Sequence, residues 1–148
     1  KVLMNPKADD NVKSDAQIII ARAAIETGDE AKAKVAYAKV LAIAKGELAA
    51  EALYYDAYFK NKEGKFEASN AAVQKIAKNY SSYKYFGAKG LILMAKNFYG
   101  LKDSYQATYI LENVIQNFTD YPDVVSEAKT ELNAIKTEEA KTNSSITK

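Results

Sequence analysis

The sequence predicts an all-α protein: three helical hairpins stacked in order and closed by one further helix. Three observations carry this. Gly28, Gly64 and Gly100 stand 36 residues apart, each between two stretches of helical pattern, and self-similarity at a fixed period of this size marks a repeat architecture. Ala, Lys and Glu dominate, and little polar/apolar alternation signals strands. Apolar side chains recur at helical spacing, as at Tyr105, Tyr109, Ile110, Val114 and Phe118.

The elements follow in order. Ser14-Asp-Ala-Gln17 reads as a capping box that opens a helix over Ala16 to Glu26. Gly28 takes the left-handed cap, and the Asp29 carboxylate accepts from the free N–H groups of the next helix, Glu30 to Ile43. The second hairpin is Ala49 to Lys60, the Gly64 turn, and Phe66 to Tyr80. Within it, Asp56 and Lys60 sit four apart with the acid first, the spacing of an intrahelical ion pair. The third is Gly87 to Tyr99, the Gly100 turn, and Ser104 to Phe118, where Asp103 to Gln106 is a looser capping box. Pro122 suits the first turn of a last helix, Asp123 to about Lys141, because its missing N–H costs little there. Thr142 to Lys148 lacks apolar periodicity and is expected to fray. One hairpin cannot bury its apolar stripe alone, whereas stacked hairpins share a continuous core. The expected organisation is therefore a linker or remnant of an earlier repeat over 1–11, a repeat domain over 12–141 and a disordered tail over 142–148.

This layout resembles the tetratricopeptide repeat family, whose pattern has a small residue in the middle of the first helix, Gly at the turn, an aromatic soon after and Ala in the second helix. Repeat one matches at Ala21, Gly28-Asp29, Ala33 and Tyr37, and repeat two at Ala57, Gly64, Phe66 and Ser69. Repeat three matches at Ala95, Phe98 and Ala107, and Ser126 to Leu132 looks like the first helix of a fourth unit. The resemblance covers residues 12–137 and implies a tetratricopeptide-like α-solenoid. The spacing runs slightly above the family's usual period of about 34 residues. Asn5-Pro6 looks like the end of an earlier second helix, which implies a longer array. Asn79-Tyr80, and Asn117 to Pro122 followed by Glu127-Ala128, look like bacterial cell-envelope repeat proteins of the TolA-binding and outer-membrane assembly lipoprotein groups. That resemblance implies a periplasmic or envelope setting, with the cytoplasm as the alternative.

Composition narrows the chemistry. With no Cys and no His there is no thiol or imidazole nucleophile, no His general base and no zinc finger. The adjacent carboxylates Asp9-Asp10, Asp29-Glu30 and Glu138-Glu139 would point to different faces of a helix and make poor acid/base pairs. Gly87 to Gly90 lacks the spacing of a phosphate loop, and no calcium-loop string appears. The expectation is a non-enzyme with no cofactor and no metal. The apolar runs Ile18 to Ala21 and Gly90 to Ala95 are too short to span a bilayer. The net charge of +2 hides a division, because 9 Lys face 2 acids over residues 60–102 while 4 Lys face 8 acids over 103–148. The basic zone reads either as solvated lysines or as a surface for acidic partners.

The family's groove positions, carried onto the first helix of each hairpin, are Asp15, Ile18, Arg22, Ile25 and Glu26, then Glu51, Tyr54, Tyr58, Asn61 and Lys62, then Lys89, Ile92, Lys96 and Tyr99; the partner-binding candidates among them are Arg22, Tyr54, Tyr58, Lys62, Lys89, Ile92, Lys96 and Tyr99. The resemblance implies that they bind an extended or helical protein segment with acidic and apolar side chains: lysines steer and tyrosines supply contact area. Tyr54 and Tyr58 share one face, and inter-repeat packing is their alternative role; Tyr55 and Phe59 share a neighbouring face and are expected to pack. A clamp for a terminal carboxylate is not expected, since only Lys89 fits among its matching positions. The expected function is a protein–protein interaction scaffold, and the alternative is an architectural spacer with an empty groove. Nucleic-acid binding, through the middle lysines and Tyr80, Tyr83, Tyr85 and Phe86, ranks lower because Arg22 is the sole arginine and the last third is acidic.

Overall fold

The structure, a computed structural model, describes the backbone of residues 6–147 and the side chains of residues 9–143. The described residues form seven helices and no strand: α1 (Pro6–Thr27), α2 (Glu30–Ile43), α3 (Glu47–Lys62), α4 (Phe66–Asn79), α5 (Lys84–Gly100), α6 (Ser104–Asn117) and α7 (Pro122–Thr147). Each helix packs on the next, and in addition α3 packs on α5 and α5 on α7. α3 therefore lies beside α5, and α5 beside α7.

Three turns share one geometry. Gly28, Gly64 and Lys102 each take a left-handed backbone, with φ of 79°, 77° and 69°. In each, the next residue's N–H reaches back to a carbonyl five residues earlier, as Asp29 to Ala24, Lys65 to Lys60 and Asp103 to Phe98. These bonds satisfy carbonyls that the helix end leaves open. Asp29 then accepts from the Lys32 N–H and Asp103 from the Gln106 N–H, as the sequence led us to expect.

The shared turns fix a register, in which Ala21, Ala57 and Ala95 are equivalent and so are Ala33, Ser69 and Ala107, all fully buried. Ser69 Oγ donates to the Ala57 carbonyl at 2.7 Å, so paired helices approach closely where these small residues meet. The core is three linked clusters. One joins α1, α2 and α3 around Ala33, Tyr37 and Phe59. A second joins α3, α4 and α5 around Tyr54, Ile76 and Leu93. The third joins α5, α6 and α7 around Ile92, Leu111 and Val124.

Four expectations are corrected. Gly100 is the last residue of α5 rather than part of the turn after it; Lys102 takes the left-handed position, because the third turn falls two residues later than the glycine spacing indicates. Gly100 is instead required by a close approach, since a Cβ there would lie 2.6 Å from the Phe66 ring. Ser14 caps nothing: it is buried inside α1 and its hydroxyl donates to the Asn11 carbonyl at 3.1 Å. The helix starts at Pro6, where proline's fixed φ suits a first turn and the Asp9–Lys13 pair at 2.9 Å supports the next, so residues 6–11 are helix rather than linker. At the other end α7 runs to Thr147, past the tail expected to be disordered from residue 142. No Gly or Pro interrupts it, and Thr142 Oγ1 donates to the Glu138 carbonyl. Residues 1–5, which carry the supposed remnant of an earlier repeat, and Lys148 lie outside the described residues.

Candidate functional site

The eight residues expected to bind a partner lie on α1, α3 and α5, and the structure divides them. Tyr54 and Ile92 are core, 6% and 1% exposed. Tyr54 belongs to the cluster between α3 and α5, its ring 6.3 Å from that of Phe86, so it takes the packing role that was its alternative. Burial pushes its hydroxyl well above the usual tyrosine range. Phe59 faces the other way, into the cluster shared with α1 and α2, as expected. Tyr55 stacks on Tyr37 at 4.3 Å between ring centres.

The six others remain at least partly exposed, and the structure pairs each of the four cations among them with a carboxylate on a neighbouring element. Arg22 makes a two-pronged contact to Glu51, Nε to Oε2 at 3.0 Å and Nη2 to Oε1 at 2.7 Å. Glu51 is itself buried, at 5% exposure, and accepts from the Tyr37 hydroxyl at 2.8 Å. The bond to Glu51 holds the guanidinium above its ordinary range, and burial followed by that carboxylate pushes the Tyr37 hydroxyl up. Glu30, the first residue of α2, accepts from Tyr58 at 2.9 Å and from Lys62 at 3.1 Å, while the Lys62 ammonium lies 5.3 Å from the Tyr58 ring centre. The hydrogen bonds from Lys62 and Tyr58 hold the Glu30 carboxyl below the usual range.

Across α5 and α7 the pairs are looser. Lys89 lies 3.5 Å from Glu127 and over the Tyr54 ring, and Lys96 lies 3.8 Å from Glu131. Tyr99 borders a hollow of about 360 Å³ with Lys102, Ser104, Glu138, Glu139 and Thr142. Desolvation first, then Glu139 and Glu138, raises its hydroxyl. Between α3 and α5, Asn61 donates to Asn97 and Asn97 to Asn70, each at 2.8 Å, so the fully buried Asn97 amide is satisfied on both sides.

The face is thus a row of paired charges with tyrosines between them. Sequence reasoning did not foresee the carboxylate partners Glu30, Glu127 and Glu131, nor the asparagine row. One signal was available: Arg22 to Glu51 spans 29 residues, one repeat less two helical turns. Two other clefts lie elsewhere, one smaller and one larger than the hollow beside Tyr99. One of about 220 Å³ is bordered by Tyr37, Leu41, Asp56 and Phe59, and one of about 430 Å³ by Val73, Tyr80, Leu91, Phe118 and Tyr121. None of the eight residues lines either cleft. The Asp56–Lys60 pair forms at 2.9 Å.

Two of the rings considered for nucleic-acid stacking are engaged internally. The Tyr85 hydroxyl donates to Asp123 at 2.7 Å; burial, followed by this bond, pushes it up to about 12, and Phe86 packs on Tyr54 and Tyr85. No cluster of metal-ligating side chains occurs among the described residues, and no described helix is long and apolar enough to cross a membrane. Compared with known proteins, the chain matches no family model and no curated protein.

Proposed function

We propose that the chain is a non-catalytic scaffold for protein–protein interaction, a tetratricopeptide-like solenoid that takes a polypeptide segment along the face shared by α1, α3, α5 and α7. The observation that carries this reading is the loose end of the charge row. Lys89 and Lys96 hold Glu127 and Glu131 at 3.5 and 3.8 Å, beyond ordinary charge-assisted hydrogen bonds, so an incoming acidic segment can exchange with these carboxylates. Tyr58 and Tyr99, half-buried on the same face, offer rigid amphipathic contact area. The tight Arg22–Glu51 end fixes the scaffold rather than the ligand. The envelope setting rests on the sequence resemblance alone.

A second reading has its own support. Every cation of the expected groove already has an internal carboxylate, which is what an architectural spacer with no ligand requires.

The test compares the wild type with a Tyr58→Ala/Lys96→Ala double variant shown by circular dichroism to be folded. Both serve as bait in an extract of the source cells. A stoichiometric partner retained by the wild type and lost by the variant supports the scaffold. The same partner retained by both rejects this face.

A further inference from the structure

The register shared by the hairpins isolates a surface that the groove does not use. Val12 and Ile19 on α1 stand where Leu48 and Tyr55 stand on α3, and where Phe86 and Leu93 stand on α5. On α3 those residues pack against the cluster built by α1 and α2, and on α5 against the cluster containing the α4 residues Val73 and Ile76. They are the residues by which a hairpin sits on the one before it. In α7 the corresponding positions hold Val124, which is buried, and Glu131, which is partly buried beside Lys96; Ala128 and Ile135, in register with Ala16 and Ala23, are buried as well. On α1 alone they are open, Val12 being 52% and Ile19 67% exposed, with Ile20 beside them at 39%. Ala16 and Ala23 complete the stripe, also exposed, whereas their α3 counterparts Ala52 and Phe59 are buried.

The opposite end of the stack is different in kind. In the same register, α7 carries Ser126, Thr130 and Asn133, all exposed, where α5 carries the buried Ala88, Ile92 and Ala95. A polar outer face is what a terminal cap needs, and α1 has none. A second copy stacking head to tail would lay this polar face against Val12 and Ile19, so such a pairing does not fit.

We infer that the α1 face docks a further helical hairpin of the class seen here, its second helix laid across α1 as α2 lies on α3 and α4 on α5. The recognising chemistry is that of the present junctions: apolar residues at helical spacing, as Tyr37, Val40, Leu41 and Ala44 offer to α3. The small Ala16 and Ala23 admit a close approach. This surface is separate from the charged face and holds whether or not that face takes a ligand.

The test uses the chain's own hairpin as the probe. A copy of residues 47–83 is fused ahead of Asp10, which places α1 in the register of α5. Hydrogen exchange is then measured on the α1 amides. The expected result is at least a tenfold slowing between Val12 and Ala23 relative to the unfused chain, abolished in the fusion carrying Val12→Asp and Ile19→Asp. Three results would overturn the inference. These are unchanged exchange, slowing that survives the two substitutions, and sedimentation of the unfused chain as a dimer that Val12→Asp/Ile19→Asp dissociates, which assigns the face to a second copy.

Discussion

Glu51 is the most consequential single side chain. A buried carboxylate is tolerated only when its lone pairs are filled, and here Arg22 and Tyr37 fill them. Glu51→Ala leaves the buried Tyr37 hydroxyl without an acceptor and frees the guanidinium, with an expected loss of about 1–3 kcal/mol in urea unfolding. Glu30 behaves differently because it is accessible. Its carboxyl is held below the ordinary range by Lys62 and Tyr58, so the folded state binds its proton less readily than the unfolded state. The stabilisation is present above the unfolded pKa, about 4.3, and is lost as pH falls through the lowered folded pKa. The Tm gap between wild type and Glu30→Gln should therefore be constant near pH 7 and shrink below about pH 4. Of the candidate site, Arg22, Tyr58, Lys62, Lys89, Lys96 and Tyr99 are at least partly accessible, as their expected role requires. Tyr54 and Ile92 were not legible as core, since helical periodicity places a residue on a face but leaves open whether the next hairpin covers it.

At the level of helices and turns, the α2 limits agree with the sequence reading, and those of α4 and α6 agree to within one residue. They agree because the turn chemistry before each is local. The third turn was misread for the same reason: glycine spacing is a proxy for left-handed backbone, and here Lys102 carries it while Gly100 accommodates the Phe66 ring. A non-glycine residue in that conformation costs roughly 1–2 kcal/mol. Lys102→Gly should raise stability by about 0.5–1 kcal/mol, part of the gain being lost to the freer unfolded chain. Gly28→Ala, at φ 79° in the equivalent turn, should lower stability by about 1 kcal/mol. Chemical denaturation of both variants checks the pair of opposite signs. The ends of α1 and α7 were less legible because the first and last turns carry few apolar residues to mark them.

Across the chain, the uneven charge of the sequence acquires a structural meaning. Part of the basic excess of residues 60–102 is met from within: Lys89 faces Glu127 and Lys96 faces Glu131, joining α5 to the acidic α7. Such partly exposed pairs contribute less than about 1 kcal/mol each, so they orient the last helix more than they hold it; burial of Val124, Ala128 and Ile135 does that. Their weakness is what leaves the lysines available to another polypeptide. The decisive measurement places a photo-activated benzophenone side chain at position 99, beside Lys96, and separately at position 109, where Tyr109 on α6 is 58% exposed. After irradiation in source-cell extract, position 99 should give one adduct of discrete mass that Tyr58→Ala/Lys96→Ala abolishes, and position 109 should give none. Adducts from position 109 alone, or from neither position, would contradict a ligand on this face.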